Sequence, residues 1–330
     1  MTDTTPVTQH SPTLRDSYEL FRLERQGNRV TQRTLDYYDM WMTDLFGWLG
    51  RERPDVTRVG ELDVNVMRLY RGYLAQRPKP DGNPLSGASL LSSHRAIGAF
   101  LRWASDDDQP VDHRLLRLRA PRVPKIEKTV YNITQVKAIL EACKNPTEEL
   151  TVRLLVGAGL RASEVGGLSI CAPDGMSDLM ADSMDRGRAE LRVRWDAGAK
   201  GQKARRVPIT SALALEVRRY VAKHRPDSKH SYLLSGVRHQ PFVRWGIDSL
   251  MDRLQLRVGF RVHAHAFRHT FATVCTQNDW NLEKLRAAMG HSDYSVLQRY
   301  VSMAAERDLG RRKEWAPFIL LPEMVKGGGW

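Results

Sequence analysis

The sequence predicts a mainly α-helical protein with a minor β component, built as an N-terminal helical bundle followed by a mostly helical second domain with a small β-hairpin. Three observations predict it. Apolar residues recur at three- and four-residue spacing over most of the chain. One short stretch, 191–195, alternates apolar and basic residues as a strand does. The 330 residues, at roughly 150 per domain, leave room for two hydrophobic cores.

The first eleven residues read as a disordered tail. Ser11 with Pro12 supplies an N-cap and a proline at the first helical position, and Leu14, Tyr18 and Phe21 continue at helical spacing. Gly27-Asn28 breaks that helix. Thr31 caps a second, carrying Leu35, Tyr38, Leu45, Trp48 and Leu49 up to Gly50, and Asp63 opens a third with Val66, Met67, Tyr70 and Leu74. After the Pro- and Gly-rich loop 77–87, a fourth helix carries Leu90, Ile97, Phe100, Leu101 and Ala104. Four amphipathic helices make a bundle over 12–106.

Residues 107–133 read as an extended linker. They hold Pro110, Pro121 and Pro124 among Arg114, Arg117, Arg119, Arg122 and Lys125, so proline keeps the chain open while the cations suit a phosphate backbone. The second domain spans 134–316, with a loose tail at 317–330. Its hairpin pairs 191–195 with 206–209 and has one apolar and one basic face. The polar segment 174–188 reads as a loop with no assigned role.

Composition narrows the function class. Lys and Arg number 51 against 38 Asp and Glu, a formal net charge of +13, and the pI is near 9.8. That surplus favours a polyanionic partner, nucleic acid above all. Hydrophobic residues at 42% are globular in proportion. Cys143, Cys171 and Cys275 form no CxxC pair, which argues against a disulfide framework or a structural zinc site. No apolar run approaches the ~18 residues of a membrane span, and the polar start is no signal peptide. A cytoplasmic, nucleoid-associated protein of a bacterium or phage is expected.

Four short segments carry the chemistry. Gly159-Leu160-Arg161-Ala162-Ser163-Glu164 puts an Arg at a helix start with an acid three residues on. Ala199-Lys200-Gly201-Gln202-Lys203 presents ammonium groups at the hairpin turn. His263-Ala264-His265-Ala266-Phe267-Arg268-His269 sets His265 and Arg268 on one helix face, and Met289-Gly290-His291 precedes Tyr300 by nine residues. Each segment alone is ordinary.

Together and in this order they resemble the tyrosine recombinase (phage integrase) family in its Xer-like two-domain form, over residues 134–305. The resemblance implies a clamp around DNA, with 12–106 as the core-binding domain and 134–316 as the catalytic domain. It makes Arg161 and Arg268 the phosphate clamp, Lys200 the general acid, His265 and His291 supporting histidines, Tyr300 the nucleophile and Glu164 the acid that orients Arg161. Arg114, Arg117, Arg119, Arg122, Lys125, Lys203, Arg205 and Arg206 are expected on DNA. It further implies double-stranded DNA with specific recombination sites as partner, a tetramer on paired sites, a Holliday-junction intermediate, and a role with a mobile element or replicon. The span from Arg161 to Lys200 is long for the family, with 174–188 as the insertion.

The residue types suit that chemistry. A tyrosine hydroxyl with a pKa of about 10 needs help to attack. Two guanidiniums neutralise the charge that grows on a pentavalent phosphate, and an ammonium protonates the departing oxygen. No metal or cofactor is expected. Tyr294 competes as nucleophile and Lys203 as acid, and His263 with His265 could serve a metallohydrolase. The apolar cluster at 318–321 could dock on a neighbouring subunit or on its own domain. A DNA-binding protein of the same fold that does not cut, and a type IB topoisomerase-like relaxing enzyme, are the rival functions.

Overall fold

The computed structural model describes residues 12–124, 128–180, 189–196, 204–236, 238–291, 295–306 and 309–319. The chain divides into two compact units, Met1–Ile126 and Glu127–Trp330.

The first unit is the helical bundle. It comprises α1 (Leu14–Gly27), α2 (Gln32–Glu52), α3 (Val64–Gln76) and α4 (Gly87–Asp106), with a short α5 (His113–Leu116). The start of α1 lies two residues later than expected. Thr13 caps it, accepting from the Asp16 N–H while the Asp16 carboxylate takes the Thr13 N–H. Asp63 caps α3 through the N–H groups of Asn65 and Val66. The α2 helix runs through Gly50 to Glu52. The core is aromatic. Phe21 meets Phe100 and Trp103 edge to face, and Tyr18 meets Phe46 likewise, a geometry that favours contact of the positive ring edge with the negative face.

The expected linker is not extended throughout. Val111 and Leu115 are buried in the bundle core, and the Arg71 guanidinium donates to the Arg119 carbonyl at 2.9 Å. The apolar members of 111–118 have a core to join, and burying them outweighs the proline bias. Arg114, Arg117, Arg119 and Arg122 stay exposed, with Arg114 paired to Asp112 at 2.9 Å, so the segment presents its other cations from a docked backbone.

The second unit runs α6 (Ile133–Glu141), α7 (Pro146–Ala158), α8 (Ala162–Gly167), β1 (Leu179–Met180), β2 (Ala189–Val193), β3 (Arg205–Ile209), α9 (Ser211–Lys223), α10 (Arg244–Val258), α11 (Ala264–Gln277), α12 (Leu282–Met289), α13 (Ser295–Glu306) and α14 (Arg312–Trp315). It begins before residue 134, since Val130 and Tyr131 already belong to its core. Helices α7 and α11 are buried around nearly their whole circumference, which makes them the central pair.

The antiparallel sheet has the order β1-β2-β3. Leu191 and Val193 pair with Val207 and Arg205 on the inner face, and Arg192 pairs with Arg206 on the outer one. The loop-like reading of 174–188 is corrected in part, because Leu179 and Met180 form an edge strand opposite Leu191 and Glu190. Asp178 secures that insertion. It accepts from the Ser169 N–H at 2.8 Å and from Arg192 and Arg194 at 3.1 Å each. The basic face of the hairpin is therefore largely neutralised by acids of the insertion and the turn.

At the C-terminal end, Leu309, Trp315 and Ile319 are buried in this unit's core, and Trp315 donates to the Leu309 carbonyl. The described part of the apolar cluster, Phe318 and Ile319, thus packs on its own domain, and the core extends beyond residue 316.

Candidate active site

The site grows from the ends of α7, α8, α11 and α12. Gly159 closes α7 with φ +60°, and a Cβ there would lie 2.4 Å from the Phe271 ring. Only glycine satisfies both the left-handed backbone and that approach to α11. The turn brings the Gly159 carbonyl within 2.7 Å of the Arg268 guanidinium. Arg161 follows as the N-cap of α8, its N–H donating to Glu164 Oε2 at 2.9 Å and its Nη1 to Oε1 at 2.7 Å.

Glu164 is the hub of three guanidiniums. Besides Arg161 it receives Arg205 through both terminal nitrogens, at 3.0 and 2.8 Å, and Arg268 Nη1 lies 3.9 Å away. The residue is 1% exposed. Burial by itself would raise its pKa. Hydrogen bonds and charge from Arg205, the Arg161 N–H and the charge of Arg268 more than offset that and hold it below the usual carboxylate range.

Arg205 and Arg268 also cap α12. Arg205 Nε donates to the Ala288 carbonyl at 2.6 Å, and Arg268 Nη2 donates to the Met289 carbonyl. These are among the carbonyls a helix end leaves unpaired, and cations suit them. Gly290, with φ +62°, ends α12 against the Arg205 side chain. Arg268 is 1% exposed. Burial, then the Arg161 charge, push its pKa down to about 9, so it remains a cation at neutral pH.

Three histidines line the far side. His291 Nε2 lies 3.0 Å from Arg268 Nη2. A guanidinium can only donate, so Nε2 accepts and the ring proton sits on Nδ1. That buried Nδ1 has no hydrogen-bond partner among the described residues. His269 Nδ1 lies 2.9 Å from the Tyr300 hydroxyl, and Tyr300 is buried. His265 is exposed, with its ring edge-on to His269 at 4.4 Å. Burial, then neighbouring cations, lower the pKa of His291 to about 3. Burial and then His265 and Lys128 do the same for His269, and both are neutral at pH 7.

The structure thus brings together Arg161, Glu164, His265, Arg268, His291 and Tyr300. Lys200, Lys203, Lys125 and Tyr294 lie outside the described residues. His263 caps α11 by accepting the Ala266 N–H on Nδ1, which occupies a nitrogen that a metal would use. Arg206 is exposed, 3.7 Å from Glu190. Arg205 was expected on DNA but is turned inward, with each guanidinium nitrogen engaged by Glu164 or Ala288. The signal was present in strand parity, since Arg205 shares a face with Val207 and Ile209. His269, to which the motifs assign no role, contacts Tyr300. No sequence spacing marks that pairing.

The chain is similar to known proteins in sequence and in fold. Residues 130–307 match the phage integrase family. The chain is 31% identical to tyrosine recombinase XerA of Thermococcus kodakarensis over 263 residues, covering 78% of this chain and 84% of that protein. It is 26% identical to tyrosine recombinase XerD of Yersinia pestis over 315 residues, covering 91% and 95%. In fold it is similar to a lambda integrase (75–356) dimer bound to a core site, with TM-score 0.69 and 14% identity, covering 91% of this chain and 99% of that one.

Proposed function

The chain belongs to the phage integrase family of tyrosine recombinases, and from that premise we propose that it cuts and rejoins duplex DNA at specific sites through a phosphotyrosyl intermediate on Tyr300. The observation that carries this reading is the charge count at Glu164. Three guanidiniums meet one carboxylate, which leaves two positive charges in a largely buried pocket beside a tyrosine. A buried surplus of that kind is costly unless an anion completes it. A phosphodiester carries one negative charge at rest and nears two in a pentavalent transition state, so the pocket binds the transition state better than the ground state.

In the proposed reaction the Tyr300 oxygen attacks phosphorus in line with the 5′ oxygen. The Oη–P bond forms, the P–O5′ bond breaks, Tyr300 gives up one proton to solvent, and the 5′ oxygen gains one from the Lys200 ammonium, which solvent then reprotonates. Arg161 and Arg268 hold the two non-bridging oxygens, and the spare Nδ1–H of His291 is a further donor. Arg205 and Glu164 keep the two clamp guanidiniums apart and oriented. One phosphodiester replaces another, so strands are rejoined by reversal with a different 5′ hydroxyl and no ATP. Exposed Arg117, Arg119, Arg122 and Arg206 supply phosphate contacts flanking the site, and Arg114 can join them by exchanging Asp112 for a phosphate. A tetramer on paired sites, a Holliday junction, service to a mobile element or replicon, and nucleoid association complete the proposal.

The test is an SDS-resistant protein–DNA adduct assay in EDTA on DNA flanking the gene and on a nicked, partly randomised duplex library. We expect an adduct that survives EDTA and disappears in Tyr300→Phe but not in Tyr294→Phe. Loss only in Tyr294→Phe would move the nucleophile, tight binding with no adduct would leave a DNA-binding protein, and relaxation of supercoils without site preference would indicate a topoisomerase-like enzyme.

A further inference from the structure

Consecutive residues of a helix point about 100° apart, and α11 uses this to serve two elements at once. Arg268 turns toward the ends of α7 and α12, where it meets the Gly159 and Met289 carbonyls. His269 turns toward α13, where its Nδ1 meets the Tyr300 hydroxyl at 2.9 Å. Two imidazoles neighbour the tyrosine ring, His291 nearly parallel at 6.3 Å and His269 tilted at 5.7 Å. His265, one turn before His269, packs edge-on against it at 4.4 Å. A buried helix whose neighbouring side chains hold the phosphate clamp and the tyrosine fixes the distance between them.

We propose that His269 is a positioning residue for the nucleophile, holding the Tyr300 hydroxyl through Nδ1 so that the oxygen is presented to the phosphate bound by Arg268. The role is orientation and not proton abstraction. His269 is buried beside His265, with the charges of Lys128 and Arg268 acting on it, and those surroundings disfavour an imidazolium. An imidazole so placed would not keep the tyrosine's proton. The proposal rests on Tyr300 being the nucleophile and adds the group that aims it.

The experiment compares His269→Asn, His269→Gln and His269→Leu in single-turnover adduct formation on saturating DNA. An asparagine amide places a polar atom where Nδ1 stood, whereas glutamine reaches toward Nε2. We expect Leu and Gln variants to form adduct about 10–100-fold more slowly, the scale of a displaced reacting group, with Asn recovering most of the rate and DNA affinity unchanged in all three. The same His269→Leu change is then made in Tyr300→Phe protein, with hydrogen peroxide as external nucleophile. Peroxide-driven cleavage should be as fast with leucine as with histidine at position 269. Asparagine as slow as leucine, no loss in any variant, or an equal loss in the peroxide reaction would overturn the proposal, the last by showing a general structural role. Adduct persisting in Tyr300→Phe alone would instead refute the nucleophile assignment and this inference with it.

Discussion

Glu164 and Asp178 are both buried acids of the second unit, each held by arginine side chains, yet their surroundings differ in sign. Asp178 receives Arg192 and Arg194, and those two are also satisfied by Asp174 and Asp196. Three carboxylates against two guanidiniums leave nothing for an external anion, and the result is a brace that fastens the insertion to the sheet. Glu164 receives Arg161 and Arg205, with Arg268 at 3.9 Å, and no second acid joins them among the described residues. The same residue types and hydrogen bonds make a charge-balanced network in one place and, in the other, a network with two surplus cations, which is where we place the phosphate. What separates them is the charge count inside the network, which can be read without reference to any relative.

The largest effects should fall on the open network. Arg161→Ala and Arg268→Ala are each expected to slow adduct formation about 10²–10³-fold, as loss of an oxyanion-stabilising donor does, with circular dichroism confirming the fold. Arg192→Ala should leave the adduct rate of folded protein unchanged, and a comparable loss there would erase the distinction between the networks.

The two acids should also differ in stability. Glu164→Gln leaves three cations facing one another and is expected to cost about 3–5 kcal/mol in urea unfolding. Asp178→Asn leaves Asp174 and Asp196 in place and should cost about 1–3 kcal/mol. Equal losses would show that surplus charge is not what distinguishes the sites.

Acid should probe the histidines of the open site. The unfolded chain takes up protons near the ordinary value of 6.5, whereas His269 and His291 resist protonation until about pH 3. Their folded pKa values are depressed, so their contribution is present above 6.5 and falls as pH drops from there toward 3, by up to about 1.4 kcal/mol per histidine per pH unit. Urea midpoints at pH 7 and 5.5 measure it, and His269→Asn should weaken the dependence.

The smallest effects concern DNA contact. Arg117→Ala or Arg122→Ala should each lower the slope of log affinity against log salt by about 1. Arg194→Ala should leave that slope unaltered because its guanidinium is already paired. A drop in slope for Arg194→Ala would mean that its pairing with Asp178 and Asp196 does not keep it from DNA.

Much of this architecture was legible beforehand. The bundle helices followed from apolar spacing, and the hairpin from the alternation of Leu191, Val193, Val207 and Ile209. Less legible were features that depend on what a segment packs against. Val111 and Leu115 look like linker residues until a bundle core is available to bury them. Leu179 and Met180 are too few to announce a strand until β2 offers an edge, and Phe318 and Ile319 could have packed on either of two surfaces.

By itself the sequence determined the elements, the order of the chemical groups and the identity of the family, because periodicity, turn residues and short motifs are local properties of the chain. Only the tertiary structure decided which arginines are spent and which are available. Arg205 and Arg206 are neighbours in the chain, yet one enters the Glu164 network and the other faces solvent. Arg268 and His269 are neighbours too, and one is turned to the ends of α7 and α12 while the other meets Tyr300. Charge balance and hydrogen bonding depend on groups far apart in sequence meeting in a buried place, where an unpaired ion is costly and a paired one is silent.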